Sequence, residues 1–361
     1  MPHEAYGAHI PWQRFAETLV IGYVETRLAK AKIDALDEEE VEEEVAPDHE
    51  LYDDQLTQVA YLGRLAAPQV LTKLLGMVGT ASAGLLAQVN AAAAIDMSNW
   101  AICSEQMHWL VLVTGFMLTD TDSDEEEPIP REIMVASAAV PAGAGAAGDP
   151  VVGVSSTLLG FLAACAAKAC TPQADRVSGL VLGDLLWWAA RWAKAYLLLD
   201  ASKYGDDLSA SLVGHFGADS AGASTAMGTL ITAACQALLG WPGDLDVAEP
   251  AAALLAALTN GATKTALALK SPNVRGECGK IPVLLPCPSA CYLVSHTNTL
   301  TLTHTHAYER TRILSLPCIV SLLYLSCISP LSSLSVSLSR SPCGFSEWHT
   351  VWALPLMSVQ C

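Results

Sequence analysis

From Trp12 to about residue 270, apolar residues return three and four positions apart in one segment after another. No β-branched run bounded by turn residues interrupts them before about residue 280. That spacing restricts the chain to helices packed on helices. It leaves open whether they stack side by side or close into a bundle.

The segments read as follows. "PWQRFAETLVIGYVETRLAKAKIDA" places Phe15, Leu19, Tyr23 and Val24 at helical spacing. "LYDDQLTQVAYLGRLAA" does the same with Leu51, Gln55, Leu56, Val59, Leu62 and Leu65. Pro68 opens a further helix, where its missing N–H removes no available bond. Gly76, Gly79 and Gly84 lower the helix propensity of that stretch. "SNWAICSEQMHWLVLVTGFMLTD" is expected to bury one stripe, Trp100, Cys103, Met107, Leu110, Val111, Thr114 and Leu118. Residues 151–170 are apolar all round, which fits a buried helix and also the length of a marginal membrane span.

The most aromatic stretch is "LLWWAARWAKAYLLLD", residues 185–200. On a helical wheel Val181, Leu185, Trp188, Trp192, Ala195 and Leu199 share one stripe, with Tyr196 on its flank. Trp188, Trp192 and Tyr196 are therefore assigned to the core. Trp187 takes another face, with Arg191 one turn on and Lys194 two turns on, so a Trp–Arg cation–π contact is expected in a cationic border. The tryptophans do not line up as one platform on a basic surface, which excludes a stacking site for nucleic acid.

Composition divides the chain near residue 277. Residues 1–277 carry 15 Lys and Arg against 35 Asp and Glu; the remainder carries four basic and two acidic residues but seven of the eleven cysteines. A net charge of −18 disfavours phosphate binding and suits basic protein partners. The N-terminus lacks a basic region followed by an apolar one, so no secretory signal is expected. Two organisational units follow. Residues 10–272 are a helical-repeat segment with acidic loops at 37–50 and 120–128 and a Gly/Ala insert at 135–150. Residues 273–361 are expected to be a low-complexity, unstructured tail. "HTNTLTLTHTHAY" and "SLSVSLSRSP" are what CA and TC dinucleotide repeats give when translated, and the tail reads as intron-derived sequence. Within it, Cys287, Cys291, His304 and His306 imitate a zinc finger, but His-x-His is too short to place both rings on one metal. The uncharged run 313–338 imitates a membrane span.

The fold expected is all-α: a HEAT- or armadillo-like solenoid of antiparallel helix pairs, with a compact helical bundle as the alternative. Each pair takes about 40–60 residues, near the ~40–47 of such repeats, although no consensus repeat is visible.

Four segments in order carry a resemblance: "QRFAETLVIGYVETRL"; "LYDDQLTQVAYLGRLAA"; "EQMHWLVLVTGFMLTD" with its acidic loop and "PIPREIM"; and "WWAARWAKAYLLLD" followed by "GHFGADSAGA". Together they resemble the exportins, nuclear transport receptors of the importin-β superfamily, over roughly residues 12–240. The resemblance implies a HEAT-repeat superhelix that shuttles between nucleus and cytoplasm. It also implies Ran-GTP, nuclear pore components and protein cargo as partners, including cargo of the translation initiation factor 5A type with its basic hypusine side chain. The full receptors are several times longer, and only a middle section is matched.

No phosphate-binding loop, nucleophile elbow, His-Glu-x-x-His or paired Cys-x-x-Cys occurs. No active site, cofactor or metal is assigned, and the chain reads as a binding scaffold rather than an enzyme. Its candidate contacts with basic cargo are Asp53, Asp54, Glu105 and His108. The carboxylates also suit ordinary helix starts, and His108 also suits a buried polar anchor. His215 is expected in a loop, and Cys165 and Cys170 as buried thiols. The rival readings are a membrane-associated helical protein with spans near 151–170 and 313–338, and a helical scaffold without Ran binding.

Overall fold

The computed structural model describes residues 11–36, 46–91, 95–120, 129–141, 148–204 and 208–270. The tail, the zinc-finger imitation and the 313–338 run lie outside the described residues.

The helices are α1 (Pro11–Asp34), α2 (Asp48–Leu51), α3 (Asp53–Arg64), α4 (Ala67–Val89), α5 (Met97–Leu118), α6 (Arg131–Ala138), α7 (Pro150–Ala169), α8 (Gly179–Ala195), α9 (Ala201–Tyr204), α10 (Ala210–Phe216), α11 (Ala221–Gly240), α12 (Leu245–Thr259) and α13 (Ala262–Lys270). Sequence-encoded caps start many of them. Asp96, Asp149, Ser178, Ser209, Ser220 and Asp244 each accept a backbone N–H from the first turn of α5, α7, α8, α10, α11 and α12. Each such cap is worth roughly 1 kcal/mol.

The long helices form two layers. In one, α5 packs between α1 and α8, and α8 packs against α12; in the other, α7 lies between α4 and α11. The layers join through α4–α5, α7–α8 and α11–α12. This is an all-α solenoid of antiparallel pairs. The pairs begin at Ala67, Pro150 and Ala221, much further apart than a bare repeat of ~40–47 residues. Short helices inserted between pairs, α6 in one connection and α9 and α10 in the next, stretch the period and hide it from the sequence. α6 also takes in residues 135–138 of the segment read as a Gly/Ala insert.

The stacking corrects two stripe assignments. α5 does not bury a single stripe: from Met107 to Leu118 every residue is buried, because α1, α3, α4 and α8 surround it. α1 buries Ala16, Val20, Ile21 and Val24, while Phe15 and Leu19 are exposed. The apolar wheel of α1 is wider than the face that α3, α4 and α5 cover.

Close approach between pairs rests on glycines, Gly115 and Gly183 among them. A side chain at Gly115 would meet the Trp187 ring at 2.7 Å, and one at Gly183 would strike the Asp246 carbonyl of α12. α4, α5, α7 and α11 are each long and apolar enough to cross a membrane by length and composition alone. Here α7 packs against α4, α8 and α11, and Trp192 Nε1 donates to Ser155 Oγ on α7 at 3.1 Å.

Candidate functional site

The tryptophan wall comes first because it fixes what surrounds it. Trp188 and Trp192 are 1% and 0% exposed, and Tyr196 is fully buried. Trp192 stacks parallel to Tyr196 and meets Phe216 edge-on. Tyr196 donates its hydroxyl to the Leu118 carbonyl at 2.7 Å. These three are core, as their spacing implies. Arg191 does lie over Trp187, its guanidinium carbon 5.0 Å from the ring centroid. The cationic border is corrected, however. Arg191 is only 9% exposed, its Nε donates to Thr119 Oγ1, and it also covers Phe116.

The end of α5 is gripped from both sides. Arg64, 5% exposed, donates to the carbonyls of Phe116, Met117 and Thr119, which a helix C-terminus otherwise leaves without intrahelical partners. Tyr196 takes the Leu118 carbonyl.

At the start of the buried run of α5 stands the charged centre of the molecule. His108 is 2% exposed and has both ring nitrogens engaged. Nδ1 is 2.6 Å from Asp184 Oδ2 on α8, and Nε2 is 3.0 Å from Asp48 Oδ2 on α2. Burial works against a charged imidazole, but the hydrogen bonds to Asp184 and Asp48 outweigh it and hold His108 up at about 10. Burial likewise pushes the Asp184 carboxyl up, and His108 pulls it back. Glu105, half-buried, is raised by burial and restrained by His108. Around this centre, His49 packs on Trp187 at 4.7 Å and Tyr52 meets Trp109 edge-on at 5.3 Å. The Arg27 guanidinium lies 4.2 Å from the Trp109 ring and 4.5 Å from Tyr52.

The sequence-level candidates separate here. His108 is the buried anchor of its two readings. Glu105 joins it, as a neighbour of Asp48 and Asp184 rather than of the α3 carboxylates. Asp53 and Asp54 are exposed in the first turn of α3, where the helix dipole favours them, and among the described residues neither forms an ion pair.

Asp48 and Asp184 were missed. Asp48 falls in the segment read as a solvated loop, yet residues 48–50 are helical and its carboxylate is ion-paired. Asp184 had a signal: a lone carboxylate inside "LVLGDLLWW", as His108 is a lone imidazole before "WLVLV". Two isolated ionisable groups on apolar helices need each other, because burying either alone is costly. Two smaller corrections follow. His215 is helical, in the last turn of α10, and Cys170 is exposed at the end of α7, whereas Cys165 is buried. Among the described residues no group of three or more His, Cys, Asp or Glu side chains is placed to hold a metal ion.

This two-layered stack coincides with a known family. A family model described as Exportin-4 matches residues 9–275, which covers α1 to α13 and stops at the change in composition. The chain belongs to the exportin-4 family. Exportin-4 of Dictyostelium discoideum is similar to it, with 26% identity over 237 residues, 64% of this chain and 20% of the relative. The chain thus spans about a fifth of that exportin-4's length.

Proposed function

We propose that this chain is a segment of a nuclear export receptor, a binding scaffold whose stacked helices dock protein cargo together with Ran-GTP for passage through the nuclear pore. The observation that carries the reading is the match of the Exportin-4 family model across the whole two-layered stack. In this reading the protein shuttles between nucleus and cytoplasm. Pore components contact the outside of the stack, and acidic positions attract a basic cargo of the translation initiation factor 5A type. Asp53 and Asp54, exposed at the start of α3, are the accessible members of that acidic set. Glu105 and His108 support it from within by fixing the α2–α5–α8 junction.

The test is a pull-down with the immobilised chain, offering Ran loaded with a non-hydrolysable GTP analogue or with GDP, with and without hypusinated factor 5A. Retention of Ran and cargo only in the GTP-analogue state is expected. Equal recovery with GDP, or none in either state, overturns docking by this segment. Lys at positions 53 and 54 (D53K/D54K) should weaken cargo retention several-fold without altering Ran retention. The membrane-associated reading, with spans near 151–170 and 313–338, is separated by alkaline carbonate extraction: release into the supernatant fits a scaffold, and retention in the pellet favours the spans.

A further inference from the structure

The segment Pro47–Tyr52 is held in place by side-chain contacts rather than by its own helix. α2 is a single turn of four residues, too short to be stable alone, and it buries none of them. Its one cap is backbone closure: Glu50 and Leu51 donate to the Pro47 carbonyl, and Tyr52 to that of Asp48. Three side chains fasten it to the wall. Asp48 reaches His108, His49 covers Trp187, and Tyr52 meets Trp109 under the Arg27 guanidinium.

The surface beneath is cationic and aromatic. It comprises Arg27 from α1, His108 and Trp109 from α5, and Trp187 and Arg191 from α8. The charged groups facing it are Arg27, His108 and Arg191 on one side of the balance. On the other are Asp184, already engaged with His108 Nδ1, and Glu105, which burial raises and His108 pulls back. Removing Asp48 therefore leaves His108 Nε2 pointing at an open position in a site of excess positive charge, bordered by two indole faces.

We propose that Pro47–Tyr52 is a displaceable strap, occupying in cis a groove that binds an acidic peptide segment of a partner protein in trans, one that carries a carboxylate and an aromatic residue four positions apart. The in-cis occupant defines the chemistry. The Asp48 carboxylate accepts from the imidazole, and the Tyr52 ring, one turn on, packs against both Arg27 and Trp109. A partner with that spacing makes the same two contacts. The strap's local concentration sets how strongly the partner must compete. This inference stands apart from the export reading. It needs neither Ran nor basic cargo, and it selects a partner of opposite charge to the cargo proposed above.

The probe is a fluorescein-labelled synthetic peptide reproducing residues 46–56 of this chain, added to the full chain and read by fluorescence anisotropy. Loosening the strap with Asp48→Asn should tighten peptide binding at least tenfold over the unaltered chain. A control peptide with Asn at the first anchor and Ala at the second should bind at least tenfold more weakly than the original. Equal affinity of the unaltered and Asp48→Asn chains, or of the two peptides, overturns the proposal. A second measurement needs no variant. Saturating the unaltered chain with peptide should speed hydrogen exchange at the amides of Glu50, Leu51 and Tyr52, and unchanged exchange at saturation overturns it equally.

Discussion

Trp192 on α8 and Trp12 on α1 are both helical tryptophans, yet one is fully buried and the other is 69% exposed. α8 is the middle of its layer, with α5 on one side, α12 on the other and α7 across the layers. α1 is the edge of the same layer, and Phe15, Leu19, Tyr61, Leu62 and Leu65 near it are exposed as well. The opposite edge differs again: α13 lies over α11 and α12, and Leu245 is exposed in the first turn of α12. In a stacked architecture a helix does not own its environment; its neighbours on both sides supply it.

The strongest way to break this contrast is to truncate both tryptophans. Trp192→Ala leaves a large cavity and an orphaned Ser155, and should cost about 3–5 kcal/mol. Trp12→Ala should stay within about 0.5 kcal/mol. Urea unfolding midpoints measure both, and similar losses at the two sites would remove the distinction between wall and edge. Next in size is Arg64→Met, which keeps the aliphatic volume but leaves the carbonyls of Phe116, Met117 and Thr119 without their donor. A loss of about 3 kcal/mol is expected in the same assay. A change below 0.5 kcal/mol would show that the end of α5 is held by Tyr196 and Arg191 alone.

The third prediction concerns pH. His108 titrates higher folded, at about 10, than unfolded, near its ordinary 6.5. Its contribution to stability is therefore complete below about pH 6.5 and is lost as pH rises through about 10. It amounts to a few kcal/mol at most, since burial offsets the ion pairs. His108→Gln should flatten the fall in melting temperature between pH 7 and 10, whereas the exposed edge should contribute no such slope. An equally steep fall in the variant would place the alkaline loss elsewhere. The smallest effect is chemical rather than energetic. On α7, iodoacetamide should label exposed Cys170 well before Cys165, whose thiol burial pushes up to about 12. Mass spectrometry reads the order, and equal labelling would mean the α7 wall opens readily.

One face of α8 was legible because Val181, Leu185, Trp188, Trp192 and Ala195 outline it by spacing alone and all five are buried, but Leu182, Leu186, Ala189 and Arg191 on its other faces are buried as well. α1 was misread at Phe15 and Leu19 because an apolar stripe says which residues seek cover, not whether a neighbour arrives. The His108 centre was half legible. The imidazole was singled out, but its carboxylates lie 60 and 76 positions away, one in a segment that looked solvated.

What the sequence determined by itself is local: helical material, its Ser and Asp caps, and the change of composition at the end of the family match. These depend on residues within one or two turns of each other, and that is the range over which spacing and capping act. The tertiary structure alone decided which apolar faces are covered and which carboxylates meet His108. Those outcomes depend on how whole helix pairs stack, and insertions such as α6, α9 and α10 set that stacking without leaving a period in the chain.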